Sequence, residues 1–313
     1  MPQGPTDLLA WASVLAFVVG ALVERYDART GRTLTAGAWA VFAVFWLALV
    51  PHFAFEQRSI IEGVLSAVAV PASLYTGYLL YRGRDTLMVL SRGVAVMGLI
   101  YLPATTLAVL YEPLIETTTV QIVWAVERLG YDPQLVTGPE GLESRILFET
   151  NGHLYAQDIL LACTGLGSAT IFIGLIAAVR APLSRKLQAL AVSVPVIWAL
   201  NLVRNVFIAL GQGKQWFTAD WMATVVYALF GNVDPRTVSF YVADRIIAQS
   251  ASVVALVAIL FAVLRYLPEL KVVVQDVLFL LTRQEHDLGE GREPPRGGMR
   301  ADGGARVEDG RRD

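Results

Sequence analysis

Cysteine is nearly absent from this chain: Cys163 stands alone in 313 residues. A lone thiol cannot close an intramolecular disulfide, and one ligand does not make a zinc site. What remains for it is packing, since cysteine often acts as a small buried hydrophobe, or reactivity. Histidine is scarce too, with only three residues: His52, His153 and His286. Charge is thin, at 17% Asp, Glu, Lys and Arg against 55% hydrophobic residues, where a soluble domain carries about a quarter charged. Basic patches with interleaved aromatics are missing, so nothing supports nucleic-acid binding. Residues 1–7 lack a basic stretch ahead of the first apolar run, which therefore reads as a retained span, not a cleaved signal peptide.

What the chain does have is apolar blocks long enough to cross a bilayer as helix. The expected fold is an all-α polytopic membrane bundle of about seven transmembrane helices, at 8–23, 36–55, 60–81, 94–111, 158–179, 187–210 and 238–264. Span 60–81 contains Glu62, a charge that weakens its assignment. Prolines 51, 71, 103 and 195 fall inside spans, where neighbouring helices or water re-satisfy the backbone. Alternate connections are basic: Arg25, Arg29 and Arg32, then Arg82, Arg84 and Arg92, then Arg180, Arg185 and Lys186. The positive-inside rule puts those three in the cytoplasm, the N-terminus outside and the C-terminus inside. The domain reading follows: residues 1–264 form a transmembrane catalytic domain with outer loops 112–157 and 211–237. Residues 265–283 form an inner amphipathic segment, and 284–313 a disordered cytoplasmic tail with little to bury. The aromatic stretch 212–234 reads either as an interfacial belt or as a lid over the helix ends.

Arginine inside a span costs about 2.5–3.5 kcal/mol and needs a reason to be there. Arg204 lies late in the sixth span, in Asn201-Leu-Val-Arg-Asn205, and Arg245 early in the seventh, in Ala243-Asp-Arg-Ile-Ile-Ala-Gln249. On the expected topology Cys163 is about 7 Å from the outer end of its span, and each arginine about 10 Å from its own. A thiol and two guanidiniums therefore share one level. Burial alone would keep the thiol protonated and inert; a nearby fixed positive charge favours the thiolate. Arginine stays charged, and its planar fork can hold a thiolate or the oxyanion formed when a carbonyl is attacked.

Plainer readings stand beside this one. Arg204 can snorkel to the surface, and Arg245 can pair with Asp244, although neighbours on a helix point about 100° apart. Asn201 and Asn205, one turn apart, serve either as interhelical glue or to orient Arg204, and Gln249 is open to the same two roles. Gly165, Gly167 and Ser168 permit close approach of a helix or a substrate backbone. His153 is the histidine nearest Cys163 in sequence, a loop residue with an accessory acid–base role as the lesser reading. His52 reads as structural, and His286 lies on the inner side.

The segment Ala162-Cys-Thr-Gly-Leu-Gly-Ser168 resembles the cysteine motif of the exosortase/archaeosortase family of polytopic membrane thiol enzymes. Arg204 matches that family's second catalytic position. Arg245 matches its third, where exosortases carry histidine and the archaeosortase branch arginine. The resemblance spans the chain from Cys163 to the end of the last span at motif level, and the earlier spans by topology alone. It implies a thiol transpeptidase or protease at the outer face of the cell membrane, with no metal and no cofactor. Its partners would be secreted proteins ending in a Pro-Gly-Phe motif, a transmembrane helix and a short basic end. Cleavage there through a Cys163 thioacyl intermediate would leave the product ready for lipid anchoring, a membrane lipid being one possible acceptor. Arg204 would stabilise thiolate or oxyanion, and Arg245 would donate a proton or stabilise the oxyanion.

Other classes fit less well. A transporter or binding protein would hold its ionisable residues near the midplane. A retinal protein needs a lysine that the last span lacks. A serine protease built on Ser168 finds no histidine on a later span to act as its base.

Overall fold

The computed structural model describes residues 4–285 and Leu288. His286 and nearly all of the expected tail fall outside the described residues. Among the described residues, six helices are long and apolar enough to span a membrane: Thr6–Val23, Ala28–Glu56, Ile60–Tyr81, Leu87–Thr106, Leu183–Gly213 and Pro235–Tyr266. They contain α1 (Pro5–Val23), α2 (Ala28–Pro51), α3 (Ile60–Tyr81), α4 (Leu87–Thr106) and α7 (Leu183–Gly213). The last of the six is composite. It runs from α9 (Val238–Phe240) through a π-helical segment, Tyr241–Ala248, into α10 (Gln249–Tyr266).

The expected fifth span is not one continuous helix. Residues 158–179 divide into the end of a strand, a 3₁₀ turn at Leu161–Thr164 and the short helix α6 (Leu166–Ala178). Thirteen residues of helix reach about 20 Å, short of the ~30 Å hydrocarbon core. The interruption is Gly165, which sits in the left-handed region at φ 75° between the turn and α6.

All-α is corrected as well. The expected outer loop, together with the end of the expected fourth span, holds a helix, α5 (Ala108–Arg128), and a three-stranded antiparallel sheet in the order β1 (Gln134–Thr137), β2 (Glu143–Thr150), β3 (His153–Asp158). Strand β2 alternates: Ser144, Ile146 and Phe148 are buried while their neighbours are more open, the period of a half-buried strand. Asn151 and Gly152, both at positive φ, make the β2–β3 turn, with Thr150 opposite His153. An Asn-Gly pair favours this two-residue hairpin because both positions need φ > 0.

The sheet and α5 form a cap over one end of the bundle. Ile122 and Val126 of α5 and Ile146 and Phe148 of β2 pack with Ile159 and with Val206, Ala209 and Leu210 of α7. Burying each of the larger side chains contributes about 1.5–3 kcal/mol relative to exposure. Thr150 Oγ1 donates to the Gly213 carbonyl at 2.8 Å, tying the hairpin to the end of α7.

The other end of the bundle gathers the basic connections. Arg32 pairs with Asp85 (2.7 Å), Arg92 with Glu24 (2.7 Å), Arg84 with Asp276 (2.9 Å) and Arg185 with Glu269 (2.8 Å). Asp276 belongs to α11 (Lys271–Thr282), so the C-terminal helix docks at that same end. Between the ends, Phe17, Trp39, Leu80, Leu87, Met88 and Ala95 fill the core among α1–α4. A second core joins α6, α7, α10 and α11 through Phe172, Ile176, Ile197, Ile259, Val263 and Val273.

The aromatic stretch 212–234 includes α8 (Asp220–Phe230), packed on α9 and the π-helical segment through Val226, Phe230, Val233, Val238 and Val242. Trp216, Trp221 and Tyr227 are exposed. That arrangement suits an interfacial belt.

Candidate active site

Beneath the cap is a cavity of about 400 Å³ between the 3₁₀ turn and helices α3, α4, α6, α7 and α10. Its wall brings together Cys163, Ser168, Asn201, Arg204, Asn205, Asp244, Arg245 and Gln249, residues drawn from segments far apart in sequence. His153 is not among them. It is exposed at the hairpin turn, about 16 Å of strand away from Asp158. His52 is exposed as well and holds Glu56 at 2.7 Å.

Cys163 is fixed by its backbone. Its N–H donates to the Leu160 carbonyl (2.8 Å), and its carbonyl accepts from Asn201 Nδ2 (2.6 Å) and Asn205 Nδ2 (2.7 Å). Thr164 Oγ1 closes the turn, donating to the Leu161 carbonyl (2.8 Å) and accepting from Leu166 N–H (3.3 Å). The two asparagines therefore hold the peptide that carries the thiol and do not orient Arg204. The next residue in the turn leaves no room: a Cβ on Gly165 would stand 3.0 Å from Asn201 Cγ. Gly165→Ala is expected to cost about 1–2 kcal/mol in backbone strain alone, plus displacement of Asn201. Gly167→Ala, which would meet only Tyr101 at 3.9 Å, is the control. Thermal unfolding in detergent should show a lowered Tm for the first and not for the second.

Arg204 Nη2 donates to Asp244 Oδ1 at 2.6 Å, from α7 across to the π-helical segment. Its charge is thus held inside the protein and does not snorkel. Arg245 Nε stands 3.6 Å from Asp244 Oδ2, too long for a hydrogen bond. Its Nη1 faces Glu62 Oε2 of α3 at 4.0 Å. Gln249, with its amide turned to satisfy both ends, accepts from Ser59 Oγ (2.9 Å) and from Arg245 Nη1 (3.3 Å). The Nε of both arginines is buried and has no hydrogen-bond partner among the described residues. Unused buried donors of this kind are rare and cost free energy unless something binds them.

The segment carrying Asp244 and Arg245 is π-helical, with the Gln249 N–H bonded to the Asp244 carbonyl five residues back. Such segments are uncommon and concentrate at functional sites. No group of three or more His, Cys, Asp or Glu placed to hold a metal occurs among the described residues.

The sequence profile of the family described as transmembrane exosortase matches residues 6–233. Archaeosortase A of Haloferax volcanii is 48% identical over 298 residues, 92% of this chain and 98% of the relative. This chain belongs to the exosortase/archaeosortase family. Archaeosortase A of Natronomonas pharaonis is 43% identical over 282 residues, 88% of this chain and 89% of the relative. No solved structure matches the chain. As an archaeosortase-type protein the chain is a multi-pass membrane protein of a sortase-type enzyme class. The family profile covers Cys163 and Arg204 and ends before Arg245.

Three features of this cavity escape a reading by sequence. Glu62 stands out there only as an awkward charge in a span, yet it faces Arg245 across the cavity. Tyr101 lines the same wall. Asp158 does too, clamped by Arg145 through bonds of 2.6 and 2.9 Å. The first carries a signal, since a charge inside an apolar span is a site candidate by default. The other two carry none.

Proposed function

We propose that this cavity is the acyl-transfer centre of a membrane thiol transpeptidase that cleaves C-terminal sorting signals from secreted proteins. Cys163 is the nucleophile and forms a thioacyl intermediate with the carbonyl it attacks. Arg204 stabilises the thiolate and the developing oxyanion, and Arg245 stabilises the oxyanion or supplies a proton. Asn201 and Asn205 hold the cysteine peptide, Asp244 sets Arg204, and Gln249 supports Arg245. The observation that carries this reading is the meeting of one thiol and two arginines with buried, unused Nε donors on a single cavity wall.

The substrate class is a protein ending in Pro-Gly-Phe, a transmembrane helix and a basic end, cleaved near the motif and left ready for lipid anchoring. The membrane orientation is N-terminus outside and C-terminus cytoplasmic. The gathering of the basic connections at the end opposite the cavity supports that placement, because positive residues stay inside. The cavity then opens near the external face, where a secreted tail arrives. Residues 1–264 constitute the catalytic domain, with 265–283 as an inner-surface segment.

The test uses the full chain reconstituted in vesicles with a reporter ending in that tripartite signal. Tail removal should depend on the chain and stop when Pro-Gly-Phe is changed to Ala-Ala-Ala. Hydroxylamine, which intercepts thioesters, should divert the product to its hydroxamate. An unprocessed reporter would overturn the reading in favour of a transporter or binding protein, and a processed but hydroxylamine-indifferent one would overturn the thioacyl intermediate.

A further inference from the structure

Thiol acyl transfer needs a group to carry a proton, and no histidine among the described residues lines the cavity. Three carboxylates among those residues do: Asp158, Asp244 and Glu62. Asp158 is occupied by two bonds to Arg145, and Asp244 by Arg204 at 2.6 Å. Glu62 differs. Its Oε2 is buried without a hydrogen-bond partner among the described residues and lies 4.0 Å from Arg245 Nη1. That distance is near enough for the guanidinium to orient the carboxylate and too far to occupy the oxygen. The backbone is held in place, since Ser59 Oγ caps α3 by accepting from Glu62 N–H at 3.3 Å. Ser59 is tied in turn to Gln249, so the caps of Glu62 and Arg245 share one hydrogen-bonded link.

We propose that Glu62 carries the proton of the reaction, a role that rests on the thiol acyl-transfer reading above. In the first half, the Cys163 S–H proton passes to the Glu62 carboxylate, directly or through one water, as sulfur bonds to the scissile carbonyl carbon. Collapse of the tetrahedral oxyanion breaks the C–N bond, and the leaving amine takes that proton from Glu62. In the second half, the O–H or N–H of the resolving nucleophile gives its proton to Glu62 as it attacks the thioester. The proton then returns to the sulfur as the S–C bond breaks. No oxidant, metal or further reactant enters, and the carboxylate is regenerated.

The decisive experiment separates proton transfer from structure by changing the leaving group. The full chain in vesicles is given the tail substrate with either its natural amide or a thioester at the scissile bond. A leaving thiolate needs no proton, and at about pH 9 an ordinary thiol is already largely ionised. In the first turnover, before the shared thioacyl intermediate is resolved, Glu62→Gln should slow tail release from the amide by about 10²–10⁴-fold while slowing release from the thioester at that pH less than about tenfold. Glu62→Asp, a shorter carboxylate, should recover part of the amide activity. Equal losses on both substrates would make Glu62 a structural residue and overturn the proposal, as would undiminished amide cleavage. Failure of the underlying reading looks different: Cys163→Ala would then still cleave the amide.

Discussion

Cys163→Ala is expected to reduce tail processing to background, a loss on the order of 10⁴–10⁶-fold by analogy with nucleophile removal in hydrolases that use a covalent intermediate. The variant should keep its fold. The turn around Cys163 is held by its N–H and its carbonyl, through Leu160, Asn201 and Asn205, and none of those bonds uses the sulfur. Thiol and methyl differ by little volume at a site with open cavity beside it. Normal expression, normal Tm and no processing would therefore locate the defect in the chemistry. Processing at an ordinary rate would remove Cys163 from the mechanism altogether.

The second large effect belongs to Arg204. Arg204→Ala should slow processing by about 10²–10³-fold, the usual cost of losing one pre-organised oxyanion donor. It should also destabilise, because Asp244 is buried and loses the 2.6 Å partner that compensates its charge. Breaking a buried pair by removing one member costs about 3–5 kcal/mol. The two consequences separate in a double variant. Arg204→Ala with Asp244→Ala removes both charges and should recover much of the lost Tm while leaving processing as low as in the single variant. Recovery of processing alongside Tm would mean that Arg204 serves only to neutralise Asp244. Arg204→Lys is not expected to rescue, since an ammonium lacks the fork that can bond Asp244 and still present an Nε donor to the cavity.

The spans were legible because composition alone sets them: an apolar block of the right length has little choice in lipid. Cys163 and the two arginines were legible because each is costly or rare where it stands. The partner of each polar group was harder to read. Asp244 is adjacent to Arg245 in sequence but bonds Arg204, forty residues away, because helical neighbours diverge while facing helices meet. Asn201 lies about one turn before Arg204 and Asn205 directly after it, and their amides cross instead to the Cys163 peptide. The cap has its own signal in the sequence. Asn151-Gly152, flanked by the alternating Glu143–Thr150, marks a hairpin inside the expected outer loop 112–157. The shortness of α6 follows from Gly165, whose positive φ cannot be inferred from an apolar run that continues on both sides of it.

The π-helical stretch from Tyr241 to Ala248 has a consequence of its own. A helix that closes its bonds over five residues where four would serve is an α-helix with a residue to spare, so the aim of Asp244 and Arg245 is stored in a count and not in any side chain. Removing one residue from within the segment, between Arg245 and Gln249, would let the ladder relax to ordinary spacing and turn Asp244 and Arg245 relative to the helix that follows. Every cavity-facing residue would still be present, and the guanidinium and carboxylate would address different neighbours. Length, in this segment, is as much a determinant of the site as identity, and a single-residue deletion there should act like the loss of several residues at once.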